Sequence, residues 1–338
     1  MLKIACIGAG YFSQFHFDGW ARTGLSKVVG VTNRDRSKAE ATGLPVFDTL
    51  AAMLTETDPD ILDIIVAPEA HADAIRAGLE HGVRAIVCQK PFCRDLAEAE
   101  EMTALAEQTG IPLIVHENIR FQPWYRVIKM AIDDGAIGVP LQASFRLRPG
   151  DGQGPEAYLA RQPYFQDMER FLIHETGVHW IDTFRFLFGD PEAVYADLRR
   201  VNPVIAGEDA GFVLFDHPSG VRVMFDGNRC LDHATQNTRC TMGEGLFEGT
   251  EGSLRLLGDG SVMQRSFGAQ DETQICPPND SPNFGGDCTF HLIDHVARAF
   301  ADGGPIENTA REYLTVMRIE HAVYISAAQQ QKQLLSDI

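Results

Sequence analysis

The sequence predicts an α/β domain built on a doubly wound parallel sheet over residues 1–120, followed by an α+β domain over residues 121–338. Three observations carry this division. Short apolar runs alternate with helically spaced segments through the first part. A Gly8-Ala9-Gly10 turn follows the first apolar run directly. Beyond residue 121 the pattern changes to alternating, β-branched and aromatic runs.

In order, residues 3–8, 27–33, 61–67, 84–89 and 113–117 read as strands that are apolar almost throughout. Between them, Ala70, Ala74 and Ala77, then Ala99, Met102, Leu105 and Ala106, recur at helical spacing over 70–81 and 96–108. Strands without a polar face, separated by helices, require a parallel sheet covered on both sides. In the second part 142–147, 193–201, 211–216, 221–226 and 253–257 read as strands. His217-Pro218-Ser219-Gly220 is a turn, so 211–226 is expected to form an antiparallel hairpin. Helices are expected over 169–187, 291–301 and 311–330, and the glycine-rich run 150–155 reads as a flexible loop able to act as a lid.

Composition narrows the function classes. A chain of 338 residues with 44% hydrophobic and 22% charged residues has the balance of a soluble two-domain protein. Lys and Arg number 29 against 47 Asp and Glu, and a net charge of -18 disfavours nucleic-acid backbones and anionic membranes as partners. No apolar run approaches the roughly 20 residues that cross a bilayer. The N-terminus runs straight into a strand and shows no leader pattern, so a cytoplasmic location is expected. The 7 cysteines are scattered and lack a CxxC pair, as expected of reduced thiols; Cys6 and Cys88 fall inside apolar strands and read as core.

The turn after the first strand reads GxGxxS, close to the dinucleotide fingerprint. Gly8 serves the tight turn, Gly10 lets a pyrophosphate approach backbone N–H groups, and Ser13 takes the third small position, with Tyr11 and Phe12 in the same turn. Where the fingerprint expects an acid at the end of the second strand, this chain has Asn33-Arg34. Asn33 can hold a ribose hydroxyl, and Arg34 can stack on adenine or pair with a 2'-phosphate, which leaves NAD and NADP both open.

Lys90 ends the fourth strand, on the side where an open α/β sheet binds its ligands, and its ammonium can stabilise a developing alkoxide. Glu175, His179 and Asp182 share one face of a helix if 169–187 is regular, and an imidazole between two acids suits proton transfer near neutral pH. No metal is expected: His174 and His179 lie five apart and diverge, unlike the histidines of a zinc-protease helix. No GxSxG elbow is present.

Together, GAGYFSQFH, APEAH (67–71), QKP (89–91), Arg120-Phe121-Gln122-Pro123, EDAGFVLF from Glu208 and GTEGSLRL from Gly249 resemble the GFO/IDH/MocA oxidoreductases over essentially the whole chain. The resemblance implies a Rossmann domain, then a domain with a large open, mainly antiparallel sheet whose outer face forms a homodimer or homotetramer. It implies Lys90 and His179 as the lysine of EKP and the acid/base histidine of DxGxH, and it places Pro68, His71 and Gln89 with the cofactor. Gln89 and Glu175 depart from the family's glutamate and aspartate.

CQKP, VHENIRFQ, QPYFQDMERF and RRVNPVIAGED are similar to the branch that contains the bacterial D-apiose dehydrogenases. That likeness implies Glu117, Asn118, Arg120, Arg161 and Gln162 as substrate-pocket residues; the region 150–158 matches the branch poorly. The expected activity is NAD(P)-dependent oxidation of a sugar or polyol carbinol bound between the domains. Two other readings are a non-catalytic NAD(P)-binding regulator and a redox-neutral sugar hydrolase or lyase that uses bound NAD.

Overall fold

Five parallel strands, β1 (Leu2–Ile7), β2 (Ser26–Thr32), β3 (Ile61–Ile64), β4 (Ala85–Gln89) and β5 (Leu113–His116), form one sheet in the order β2-β1-β3-β4-β5. These belong to a computed structural model that describes residues 1–337. Helices α1 (Ser13–Arg22), α2 (Arg36–Glu40), α3 (Leu50–Thr57), α4 (His71–His81) and α5 (Leu96–Thr109) connect the strands. Ile61, Leu62 and Ile64 of β3 and 85–88 of β4 are fully buried, as strands covered on both faces must be. Local chemistry sets the helix starts: Thr49 caps α3 through Ala52 N–H (3.1 Å), and Asp95 caps α5 through Glu98 N–H (2.9 Å).

The chain resolves into two compact units, and the first combines Met1–Asn118 with Thr289–Thr315. A division at 120/121 assigns that later segment to the second domain. It joins unit 1 through contacts far apart in sequence: Ile293 lies against Gly19 of α1, where a Cβ on the glycine would come within 2.8 Å of it, and the Asn308 amide donates to the Glu117 carbonyl.

Unit 2 holds the remainder of the described chain. It begins with α6 (Pro123–Asp133), β6 (Pro140–Leu147), a π-helical stretch (Leu172–Gly177) and α7 (Val178–Phe188). Strands β7 (Ala193–Arg199), β8 (Ala210–Asp216), β9 (Arg222–Asn228), β10 (Gly243–Gly249), β11 (Gly252–Leu256), β12 (Val262–Ser266) and β13 (Thr273–Cys276) follow. Helix α8 (Cys288–Asp302) belongs to unit 1 beyond its first residue, α9 (Ala310–Gln329) enters unit 2 at Val316, and β14 (Gln333–Leu334) completes a sheet of nine strands in the order β13-β12-β11-β10-β6-β9-β8-β7-β14. Only β6 and β9 pair in parallel among them. The expected hairpin is β8–β9, closed by His217 N–H to Val221 O (3.0 Å).

One face of this sheet is the core of unit 2. Trp180 of α7 stacks on Phe145 of β6 with centroids 4.6 Å apart and lies 5.9 Å from the Phe225 ring of β9. On the other face Tyr195, Leu214, Met224 and Leu246 follow one another across β7, β8, β9 and β10, with Ser144 of β6 between the last two. Helix α6 and strands β10, β12, β13 and β14 are not named by the sequence reading. In β10 three glycines hide the strand signal, and Gly243 is required because a Cβ there would fall 1.9 Å from the Arg146 carbonyl oxygen of the neighbouring strand.

Candidate functional site

The turn after β1 is built for close approach by a ligand. Gly8 has φ +115°, and a Cβ on it would sit 2.2 Å from the Ile65 carbonyl oxygen, so no larger residue fits. Gly10 faces open space, with nothing within 4 Å of where its Cβ would stand. The Ser13 hydroxyl donates to Gly10 O (2.6 Å) and draws the turn onto α1. No side chain caps the N-terminus of α1, where Ser13 N–H donates to Gly10 O (3.3 Å) and Phe15 N–H to Phe12 O (3.1 Å), and the positive end of the helix dipole faces the turn. Tyr11 is exposed and Phe12 half-buried, and a cleft of about 670 Å³ runs from Gly10 and Tyr11 past Gln14 to Lys38 and Thr42. An open glycine cradle at an uncapped helix start fits the pyrophosphate of a dinucleotide.

The end of β2 differs from expectation in one respect. Asn33 accepts from Ala9 N–H (3.0 Å) and donates to Asp35 O (2.8 Å), so its short amide braces the turn against the loop. The acidic neighbour, Asp35, caps α2 by accepting from the Ser37 hydroxyl (2.7 Å) and N–H (3.1 Å). Arg34 is exposed at this corner.

The end of β4 carries Gln89 and the half-buried Lys90. Gln89 is buried; its Oε1 accepts from Lys90 N–H (2.8 Å) and its Nε2 lies 3.0 Å from His16 Nε2. His16 in turn meets Asp63 Oδ2 at 2.9 Å, and Trp20 donates to the same oxygen at 2.7 Å. His71 is wholly buried: its Nε2 donates to Val66 O (2.9 Å) and its Nδ1 accepts from Cys93 N–H (3.4 Å). Burial lowers its pKa below the ordinary histidine value. These bonds make His71 a brace between the loops after β3 and β4, and both its nitrogens are engaged with backbone. Pro68 opens a short 3₁₀ turn (Pro68–Ala70) beside it. Glu117 and Asn118 are buried, and Asn118 donates to Thr289 (3.0 Å).

In unit 2 the expected single helix over 169–187 is a π turn followed by α7. The offset between Glu175 and His179 is therefore not the regular α-helical one that puts three side chains on a common face. Three groups outside the helix hold the π turn. Leu172 N–H donates to Glu208 O (2.8 Å), Ile173 N–H to Glu208 Oε1 (3.1 Å) and His174 N–H to the Tyr324 hydroxyl (3.2 Å). Gly177 sits where a Cβ would meet Ile173 Cδ1 at 3.1 Å. His179 is 8% exposed at the start of α7, and Glu175 is half-buried.

Asp182 does not stand beside His179 as a free acid: it pairs in two-pronged fashion with Arg120, whose Nε donates to Oδ2 at 2.6 Å, both side chains being buried. A buried guanidinium and carboxylate in reach neutralise one another. Arg161 approaches Asp151 at 3.4 Å, and Gln162 donates to the Tyr164 hydroxyl at 3.0 Å. Asp151 also binds Arg229 (2.8 Å), whose Nη1 donates to the Thr176 hydroxyl (2.6 Å). The loop 150–162 is thus tied to the π turn through Asp151 and Arg229. Neither Arg229 nor Asp63 stands out in the sequence, because each works through partners distant along the chain; His16 and Glu208 lie inside the GAGYFSQFH and EDAGFVLF runs.

Comparison with known proteins agrees with this architecture. Residues 2–117 match the oxidoreductase family with an NAD-binding Rossmann fold, and residues 125–255 match the GFO/IDH/MocA C-terminal domain. The chain belongs to the GFO/IDH/MocA oxidoreductase family. Among its relatives, the D-apiose dehydrogenase of Paraburkholderia graminis is 33% identical over 96% of this chain and 87% of its own length. That of Rhizobium rhizogenes is 32% identical over 75% and 73%. An oxidoreductase from Agrobacterium radiobacter, solved with NAD+, L-tartaric acid and magnesium, superposes with a TM-score of 0.89 at 26% identity, covering 99% of each chain. A levoglucosan dehydrogenase complex shares the fold, with a TM-score of 0.83 at 19% identity over 99% of each chain. This GFO/IDH/MocA member is an oxidoreductase with an NAD-binding Rossmann domain.

Proposed function

We propose that the chain is a sugar dehydrogenase that oxidises a carbinol of a small aldose, an aldopentose such as D-apiose at its anomeric carbon, releasing a lactone. The observation that carries the reading is the combination, in one chain of this family, of an open glycine turn with a buried imidazole, His179, at the start of α7 directly after a π turn. Likeness to two D-apiose dehydrogenases over most of the chain supports the substrate class. When bound at Gly8, Gly10, Tyr11 and Phe12, NAD supplies the hydride acceptor.

The protein's own groups handle the proton and the developing charge. His179 takes the hydroxyl proton as general base, and Glu175 stabilises the imidazolium that results. Lys90, at the end of β4, is the donor offered to lower the cost of alkoxide character. Arg161 and Gln162, on the loop tied down by Asp151, offer donors to the remaining sugar hydroxyls, the kind of polar set that polyol recognition needs. Arg120 and Asp182 position α7. The proposal extends to assembly: the apolar row Tyr195, Leu214, Met224 and Leu246 is the surface through which two copies pair.

Absorbance of reduced nicotinamide tests the activity, with NAD and then NADP, against D-apiose, other aldopentoses, hexoses, inositols and sugar acids. NADH formation with an aldopentose is expected. Turnover of another class alone would move the substrate, and no turnover by a protein that binds NAD would favour a cofactor-sensing regulator. His179→Ala is expected to cut turnover by about 10² to 10⁴ with NAD binding intact; loss of NAD binding would remove His179 from the role of base.

A further inference from the structure

We propose that Asp63, His16 and Gln89 are positioning residues for Lys90, a hydrogen-bonded chain beneath the end of β4 that fixes both the Lys90 backbone and one tautomer of His16. The inference rests on the role given to Lys90 above. Its geometry rests on one unambiguous donor. The Lys90 N–H can only donate, so the amide atom facing it at 2.8 Å is Gln89 Oε1. The other end of that amide is then the donor Nε2, and His16 Nε2, 3.0 Å away, must accept. The His16 proton therefore sits on Nδ1 and points at Asp63 Oδ2, which also receives the Trp20 indole N–H.

Every member is buried, with His16, Trp20 and Asp63 at 0% exposure. In such a setting an unmet donor or acceptor is costly, and the whole orientation propagates from one end. The chain spans three elements: His16 and Trp20 on α1, Asp63 on β3 and Gln89 at the end of β4. Helix α1 is also the one whose uncapped start faces the open turn at Gly10. The same bonds thus hold the candidate pyrophosphate cradle and the candidate oxyanion donor in fixed relation within unit 1.

A glutamate at position 89 could still accept from Lys90 N–H, but its second oxygen would face His16 Nε2, acceptor against acceptor. That contact is relieved only by an added proton. A leucine at 89 removes both bonds.

The test uses full-length protein labelled with [15N]histidine, His16 being assigned by comparison with His16→Asn. In the wild type, Nδ1 of His16 is expected to be protonated and Nε2 unprotonated near neutral pH. In Gln89→Glu, a new proton is expected on His16 Nε2 or on the glutamate, seen as an imidazolium signal or as a shifted pH titration. The opposite tautomer in the wild type, or an unaltered His16 titration in Gln89→Glu, overturns the chain.

Turnover of NAD with the most active sugar of the panel tests the consequence. Gln89→Leu is expected to lose about tenfold or more in kcat at saturating NAD and Gln89→Glu to lose less. Lys90→Met separates the two levels of the argument. If it keeps turnover, the role of Lys90 fails while the tautomer result stands. If it loses turnover and Gln89→Leu does not, the positioning role fails.

Discussion

Arg34 shows how one side chain bears on cofactor choice. Asn33 is engaged with Ala9 and Asp35 with its own helix cap, whereas the Arg34 guanidinium is exposed at the end of β2, and we propose that it meets the adenosine ribose. Arg34→Glu is expected to weaken NADP binding by about tenfold or more, near 1.4 kcal/mol, and to change NAD binding much less; equal losses for both cofactors would show that Arg34 stacks on adenine instead. Two histidines bear on stability. His71 and His217 are buried, and burial lowers the pKa of each. The unfolded chain binds these protons at about pH 6.5, whereas the native protein resists them. Their contribution is complete above that pH and is lost as pH falls toward the lower native values, by up to about 1.4 kcal/mol per pH unit for each histidine. Urea midpoints at neutral and mildly acidic pH should fall in the wild type, and less steeply in His217→Asn.

At the scale of elements, α7 illustrates how a helix can be right in place and different in kind. Its apolar residues Val178, Trp180, Ile181, Phe184 and Leu187 are buried, and that pattern is visible in the sequence. The π turn before it is not, because its extra residue per turn is held by Glu208 and Tyr324 from elsewhere in the chain. The ion pair between Arg120 and Asp182 belongs to the same level, since it ties α7 to the short turn Ile119–Phe121. Asp182→Ala removes the buried carboxylate that meets the Arg120 guanidinium and is expected to cost about 3 to 5 kcal/mol of stability in urea unfolding. Loss of turnover at unchanged stability would instead make Asp182 a partner of the proton transfer.

For the molecule as a whole, the nine-stranded sheet with one apolar row on its open face sets the prediction of assembly. Leu214→Glu, within that row between Tyr195 and Met224, is expected to convert a dimer or larger assembly to monomers in light scattering; an unchanged mass, or a monomeric wild type, would remove the sheet face as an interface. No helix among the described residues is long and apolar enough to cross a membrane. Much of this organisation is legible along the chain. Period-two and period-3.6 burial, the glycine turn and the β8–β9 hairpin are local signals, so the parallel sheet, the change of pattern near residue 121 and the positions of Lys90 and His179 follow from short stretches of sequence. Pairings between distant residues carry no local signal. The chain placed with unit 1 by Ile293 and Asn308, the engagement of Asp182 by Arg120, the glycine-rich β10 and the Asp63–His16–Gln89 chain each depend on which buried donor finds which acceptor, or which side chain fills which gap. Those choices are made when the backbone closes around them, because burial gives a misplaced polar group no water to turn to.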